Sequence, residues 1–331
     1  MLKKYQLNYH TQPGSKERVP GHTATMSSYA GTIFSLDDFV TLSSNLVTTE
    51  TTLFVYNTSL FQDISPLGQV FEPVRVMAAN RLATSGEEWT NIVSQYNSGT
   101  YNNQWMVIDY NRVGEDGSLS DGALWVLEQL PGRVWAADQT SVLREKGYWA
   151  SYNRAFYPEA FNFSGAQDMV DKYGSWFSYS ETPRALIMAR DQGGVVDEDS
   201  MIKLMRYNSF QTDPLAKVPG CPNPIPAGSI ANRCDLTLPN SQCEWEDLDY
   251  MVGHQPYGAL DMKFVTRKLL DSQQFYAVAG PTHGPNMPPF SWRDTNLTSI
   301  PIHKPIILFD FQPSVHTWTL GGINDAVKRI F

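Results

Sequence analysis

The sequence predicts an α+β fold, built of stacked layers in one domain spanning residues 1–331. Three observations predict it. Short apolar and β-branched runs come first, helical periodicities with recognisable caps follow, and strand-sized alternation returns towards the C-terminus. At 331 residues, 42% hydrophobic and 18% charged, the chain can bury a sizeable core. No repeat of roughly 20 to 50 residues divides it.

From Thr32 to Phe54, apolar runs broken at Asp37-Asp38 and Ser43-Ser44-Asn45 predict three strands joined by hairpin turns. A helix is predicted from Glu72 to Ala83, with Val74, Met77, Ala78 and Leu82 on one face. A second helix opens at the capping box Ser85-Gly86-Glu87-Glu88 and turns Trp89, Ile92, Val93 and Tyr96 inward. Strands are then predicted at Trp105 to Tyr110, Ala123 to Gln129, Arg133 to Ala137 and Tyr148 to Tyr152. Ser164, with Gln167 three residues on, predicts another N-cap; Pro183 suits the first turn of a helix reaching Arg190, and Asp197 caps one reaching Tyr207. Residues 212–246, rich in Pro, Gly, Asn and Ser, are expected to form an ordered loop that cysteines could staple.

Between the second helix and the Trp105 strand lies Asn97-Ser98-Gly99-Thr100-Tyr101-Asn102-Asn103-Gln104-Trp105, which carries no charge. Amides and hydroxyls beside a Tyr and a Trp suit directed hydrogen bonds under an apolar roof better than solubility. The segment is therefore expected to tie the covering helix to a central strand.

A formal charge of −9, from 25 Lys and Arg against 34 Asp and Glu, argues against a nucleic-acid partner. No stretch approaches the roughly 20 apolar residues of a membrane span, and residues 1–20 lack the apolar centre of a secretory leader. The acidic pairs Asp37-Asp38, Glu87-Glu88, Glu198-Asp199 and Glu246-Asp247 fall at turns or helix starts, where carboxylates meet backbone N–H groups, so they read as caps. His254 and His283 sit beside Gly and Pro in loops. With no histidine at ligand spacing from a cysteine and no Gly-rich phosphate loop, neither metal nor cofactor is expected, and no Gly-x-Ser-x-Gly elbow supports a serine esterase. Three cysteines, Cys221, Cys234 and Cys243, allow one internal pair, and Cys234 with Cys243 would close a short loop through Pro239-Asn240-Ser241.

The Asn97–Trp105 run together with Tyr148-Trp149-Ala150-Ser151-Tyr152-Asn153 resembles the phospholipase B-like proteins. Ser28-Tyr29-Ala30-Gly31-Thr32-Ile33-Phe34-Ser35, Leu46-Val47-Thr48-Thr49-Glu50-Thr51-Thr52, Lys203-Leu204-Met205-Arg206-Tyr207-Asn208 and Ala279-Gly280-Pro281-Thr282 agree in the same order. The resemblance spans roughly residues 5 to 292 and is carried by long, collinear motifs. It implies a four-layer αββα sandwich of the N-terminal nucleophile hydrolase type, incomplete at its N-terminal edge. It also implies amide or ester deacylation of a lipid or acyl-amide small molecule, and a lysosomal or secreted protein. In such hydrolases a cysteine exposed by self-cleavage uses its own amino group as base. The family's cysteine lies upstream of the segment resembling Lys3-Lys4-Tyr5-Gln6-Leu7, so a segment of the same precursor upstream of Met1 is the expected partner, and an unpaired strand edge is expected beside Thr52 and Asn153. A non-catalytic lipid- or glycan-binding protein on the same fold is the alternative.

Three residues match positions the family uses around its nucleophile: Thr52, Asn153 and Arg184. Asn153 could donate to an oxyanion, Thr52 could orient the amine or nucleophile, and Arg184 could hold a carboxylate or favour a thiolate. Without the resemblance they would read as a strand threonine, a turn asparagine and a surface arginine at a helix start. The family often has two cysteines three apart near Cys221; Val218 occupies the first position here, which leaves Cys221 free or paired with Cys234. The sequons at Asn57, Asn162 and Asn296 would accept glycans on the secretory route.

Overall fold

A computed structural model describes residues 1–35, 39–238, 243–245, 252–255, 258–278, 280–285, 287–293 and 307–318. Seven strands form one antiparallel sheet in sequence order: β1 Leu2–Gln6, β2 Thr23–Ser27, β3 Phe39–Leu42, β4 Leu46–Thr52, β5 Asn103–Asp109, β6 Leu124–Leu130 and β7 Arg133–Asp138. The structure is thus α+β. Among the described residues, two strands occupy the Thr32–Phe54 window where three were predicted. The other neighbours, β1 and β2, come from upstream, where polar residues hide the alternation: Thr23 and Thr25 are buried, and the Thr25 hydroxyl meets that of Thr41 on β3.

Helices α1 (Glu72–Leu82) and α2 (Gly86–Ser94) cover one face of the sheet. Leu42, Leu46, Trp105, Val107 and Leu127 from the strands meet Val76, Ala79, Trp89 and Val93 from the helices. Each fully buried large side chain there contributes roughly 1.5–3 kcal/mol of transfer free energy. Trp89 lies 5.2 Å from Trp105, centroid to centroid, and donates its indole N–H to Asn80 at 2.7 Å. The predicted box at the α2 start is half realised. Ser85 accepts from the Glu88 N–H, but the Glu88 carboxylate reaches past it to the backbone and hydroxyl of Thr84. Gly21, at the approach to β2, is fixed by packing, since a Cβ there would lie 1.7 Å from the Asn80 carbonyl oxygen.

The Asn97–Trp105 segment joins α2 to β5 as expected. Asn97 donates to the carbonyls of Leu130 and Arg133 at 2.8 and 3.2 Å and accepts from the Gly99 N–H at 2.8 Å. Gly99 takes φ +65° against Pro131, and Asn102 closes the turn onto the Gly99 carbonyl. Beneath it, buried Arg75 of α1 donates to the carbonyls of Val70 and Val93 and to Gln129 on β6. Burial lowers its pKa to about 10, against the pull of Glu72, so the guanidinium stays charged near neutrality.

The opposite face carries α3 (Thr140–Lys146) and, after the irregular segment 147–157, α4 (Pro158–Phe163), α6 (Pro183–Asp191) and α7 (Glu198–Met205), with α5 (Ala166–Tyr173) packed on α4. Residues Tyr148 to Tyr152, predicted as a strand, cross this face without pairing. Their aromatics explain the difference. Trp149 packs on Phe156 with centroids 4.7 Å apart and Tyr152 on Tyr179 at 5.3 Å, so the segment is held by ring contacts rather than a ladder. The helix expected to be capped at Ser164 begins one residue later, with Gly165 as N-cap at φ +82°, because α4 runs directly into it. Short strands β8 Lys263–Phe264, β9 Tyr276–Ala277, β10 Phe290–Ser291, β11 Leu308–Phe309 and β12 Ser314–Val315 form a three-stranded and a two-stranded sheet beyond.

Neither disulfide suggested by the sequence forms. Cys221 bonds Cys243, their Cα atoms 4.1 Å apart, and Cys234 is a buried free thiol donating to the Asn232 side-chain oxygen at 3.3 Å. The cause is the packing of Trp245. That ring sits on Tyr173, Trp176 and Phe177, while the Glu244 N–H bonds the Gly220 carbonyl at 2.7 Å, which lays residue 243 alongside 221. Of the sequons, Asn57 and Asn162 are exposed, and Asn296 lies outside the described residues, as do Asp37-Asp38 and Glu246-Asp247.

Candidate functional site

Thr52, Asn153 and Arg184 are linked by hydrogen bonds although 101 residues separate the first two and 31 the last two. Thr52 ends β4, Asn153 leaves the irregular segment at φ +64°, and Arg184 stands in the first turn of α6 behind Pro183. The Asn153 amide donates to the Thr52 carbonyl at 2.7 Å, and its oxygen accepts from Arg184 Nη1 at 2.8 Å. Arg184 Nη2 donates to the Tyr152 carbonyl at 2.7 Å, so the guanidinium fork fixes both the amide and the backbone entering it. Left-handed backbone is uncommon outside glycine, with asparagine among its frequent exceptions, and the two amide contacts stabilise it here. The contact to β4 runs through the Thr52 carbonyl, and the Thr52 side chain faces out to solvent.

The described pairing of β4 narrows beside this chain of contacts. β4 pairs with β5 through Thr52↔Asn103, whereas its pairing with β3 ends at Phe39↔Thr49. Among the described residues, Glu50 to Thr52 therefore have a strand on one side only.

One residue back on β4, the Thr51 hydroxyl meets the Ser151 hydroxyl at 2.5 Å. Both line a cavity of about 510 Å³ between the sheet, the Gly147–Ser151 segment, α6, α7 and residues 260–263. Met106, Met188, Met201, Met205 and Met262 supply much of its wall, together with Trp149. Unbranched thioethers adapt to a flexible apolar occupant, and the volume is that of a small-molecule site. Thr52, Asn153 and Arg184 flank this cavity and do not line it.

Sequence reasoning missed Glu128. It is fully buried on β6 between Val126 and Leu130, and it accepts from Gln104 Nε2 and the Phe156 N–H at 2.6 Å each and from the Tyr157 N–H at 3.2 Å. Burial, only partly offset by these donors, raises its pKa to about 7. Burial likewise pushes the Tyr157 and Tyr179 hydroxyls up to about 12 and Tyr152 higher still, with Tyr179 a second cause for Tyr152. The signal was available: Leu124, Val126 and Leu130 alternate inward, which puts a carboxylate on the buried face. The chain's own thiols are poor nucleophiles, since two are joined and burial pushes Cys234 up to about 11. Among the described residues no cluster of His, Cys, Asp and Glu could hold a metal, and no helix is long and apolar enough to cross a membrane.

Residues 1–316 match the family model described as Phospholipase B. The chain belongs to the phospholipase B family. It is 42% identical over 322 residues to the putative phospholipase B-like 2 of Homo sapiens, covering 96% of this chain and 54% of that protein. The Bos taurus protein of the same description is 44% identical over 296 residues, 88% of this chain and 49% of the relative. Phospholipase-B 81 of Drysdalia coronoides is 41% identical over 276 residues, 83% and 46% respectively. The chain thus spans about half the length of the curated relatives it matches.

Proposed function

We propose that this chain forms the acyl-binding and oxyanion-stabilising part of a phospholipase B-like hydrolase of the N-terminal nucleophile type, acting on lipid esters or amides in a lysosomal or secreted setting. In this reading the seven-stranded sheet is one of the two central layers of a four-layer αββα sandwich, and a segment N-terminal to Leu2 brings the cysteine. The observation that carries it is the Thr52–Asn153–Arg184 hydrogen-bond chain at the end of β4 beside a methionine-lined cavity. Family membership and the exposed sequons at Asn57 and Asn162 support the same reading.

The residues divide the work as follows. The cysteine amine takes the thiol proton, sulfur attacks the acyl carbon, and the carbonyl electron pair moves onto oxygen. Asn153 spends one amide hydrogen on Thr52 and offers the other to that oxyanion. Arg184 keeps the amide from turning over, because its donors require the Asn153 oxygen to face them. The proton then passes to the leaving amine or alcohol, and water releases the acyl group from sulfur. The acyl chain lies among the methionines.

The test is acyl hydrolysis by the N-terminally extended protein, on a lipid and on a chromogenic acyl amide. Asn153→Ala should lower kcat about 10²- to 10³-fold, the usual loss of one oxyanion donor, with KM nearly unchanged. Full activity in that variant, or none in the extended protein bearing an N-terminal Cys, Ser or Thr, overturns the mechanism. Lipid or glycan binding without turnover, with another residue at the mature N-terminus, would identify a binding protein on the same fold.

A further inference from the structure

Helix α7 separates two cavities. Met201, Leu204 and Met205 face the methionine-lined one, whereas Lys203 and Arg206, one turn apart, border a second of about 270 Å³. Asn208, Ser209 and His283 also line it. It differs from the first in chemistry as well as size.

Its charge is positive within an acidic chain. Arg206 is held rigidly: Nε lies 3.0 Å and Nη2 2.9 Å from Asp261 Oδ2, and Nη2 also donates to the His283 carbonyl at 2.8 Å. Asp261 is buried and also accepts from the Met262 N–H, so its charge is spent on this pair. Arg206 Nη1 makes no hydrogen bond among the described residues, and no carboxylate among them lies within ion-pair distance of Lys203. Asp310 lies 3.6 Å from His283 Nε2, a nitrogen already 2.8 Å from the Phe311 carbonyl, and also accepts from the Gln312 amide. The Asp197 carboxylate feels Lys203 from beyond ion-pair distance, so the cavity offers an ammonium outside any close ion pair among the described residues and one guanidinium edge.

It also holds a buried acceptor. Asn208 is 5% exposed and donates to the Ala231 carbonyl at 2.6 Å, but its side-chain oxygen meets no donor among the described residues. A buried acceptor left so costs about 1–3 kcal/mol until a donor reaches it. The dianionic phosphate of a monoester cannot supply that donor. A hydroxyl on the same molecule can.

We propose that this second cavity binds a phosphate ester carrying a free hydroxyl, with Lys203 and the outer edge of Arg206 on the phosphate and the Asn208 oxygen accepting from the hydroxyl. The site does not depend on the acyl-hydrolase reading, because none of these residues belongs to the Thr52–Asn153–Arg184 chain. A volume of about 270 Å³, at the small end of ligand sites, suits a glycerol phosphate and leaves no room for an acyl chain. Such a group occurs free in solution or as a lipid headgroup.

Calorimetric titration of the chain with glycerol 3-phosphate, methyl phosphate and glycerol decides the matter. Glycerol 3-phosphate should bind most tightly, and Lys203→Glu, a change at an exposed position, should weaken it at least about tenfold, while Lys203→Arg stays within about threefold of wild type. Asn208→Leu should bring glycerol 3-phosphate down to the affinity of methyl phosphate; if it does not fold, the Lys203 pair still decides. No binding of glycerol 3-phosphate at millimolar concentration, or equal binding by Lys203→Glu, overturns the proposal, and methyl phosphate binding as well as glycerol 3-phosphate overturns the hydroxyl contact. Co-sedimentation with phosphatidylglycerol vesicles that Lys203→Glu abolishes would identify the headgroup as the source. Binding of the soluble ester alone would identify the free compound.

Discussion

Glu128 is expected to favour the folded state more in acid than at neutral pH, and Glu128→Gln isolates the effect. Its folded pKa of about 7 lies above the 4.5 of an ordinary glutamate, chiefly through burial. The folded state thus holds the proton more tightly than the unfolded chain. The contribution is fully present below about pH 4.5 and is lost as pH rises through about 7. The difference between 4.5 and about 7 corresponds to about 3 kcal/mol. The neutral carboxyl has somewhere to send its proton, because the Gln104 side-chain oxygen meets no donor or acceptor among the described residues and the amide lies 2.6 Å from Glu128. Turning that amide over makes it an acceptor. Urea unfolding of wild type and Glu128→Gln at about pH 4.5, 5.5, 6.5 and 7.5 measures the difference, in which all other titrations cancel. Wild type should lose about 3 kcal/mol relative to the variant across that range. A difference independent of pH, or one that grows in favour of wild type as pH rises, refutes the reasoning.

The Cys221–Cys243 bond closes a separation of 22 residues, so the double serine variant should unfold about 3 kcal/mol more easily, read as a shift in the urea midpoint that reductant abolishes. Native protein should yield no rapidly reacting thiol and unfolded protein one, since Cys234 is buried and its thiol is pushed up to about 11. Asn97→Ala should cost about 2 kcal/mol in the same assay, because it strips donors from the Leu130 and Arg133 carbonyls and the acceptor from Gly99; a loss below about 0.5 kcal/mol would show that water replaces it.

Helices and central strands were legible because their signals are local. Ser85 and Asp197 cap where a side chain can reach its own backbone, and the alternation of β6 falls on the buried face it implies. β2 was missed because Thr23, Thr25 and Ser27 are buried polar residues, which removes the apolar alternation that marks a strand, and β1 carries Lys3, Lys4 and Gln6. Tyr148 to Tyr152 read as a strand because aromatic content raises β-propensity, yet rings can hold an irregular segment against a sheet equally well. The disulfide followed a different logic. Loop closure favours near neighbours in sequence, but the position of residue 243 is set by Trp245 packing on Trp176 and Phe177, contacts that span about 70 residues.

The candidate site shows why motif matching outran residue reasoning there. Thr52, Asn153 and Arg184 meet through two main-chain carbonyls and one amide oxygen: the Thr52 carbonyl, the Tyr152 carbonyl and the Asn153 side chain. A carbonyl contact places no demand on the side chain of the residue that supplies it, so nothing in the chemistry of Thr52 or Tyr152 announces it. What the geometry demands is narrower: an amide at 153 able to adopt φ +64° while both accepting and donating, and a planar two-pronged donor at 184. Aspartate at 153 would lose the donor and lysine at 184 the second prong. Those two positions carry the chemical constraint at this site, and the contacts at 52 and 152 are made by backbone.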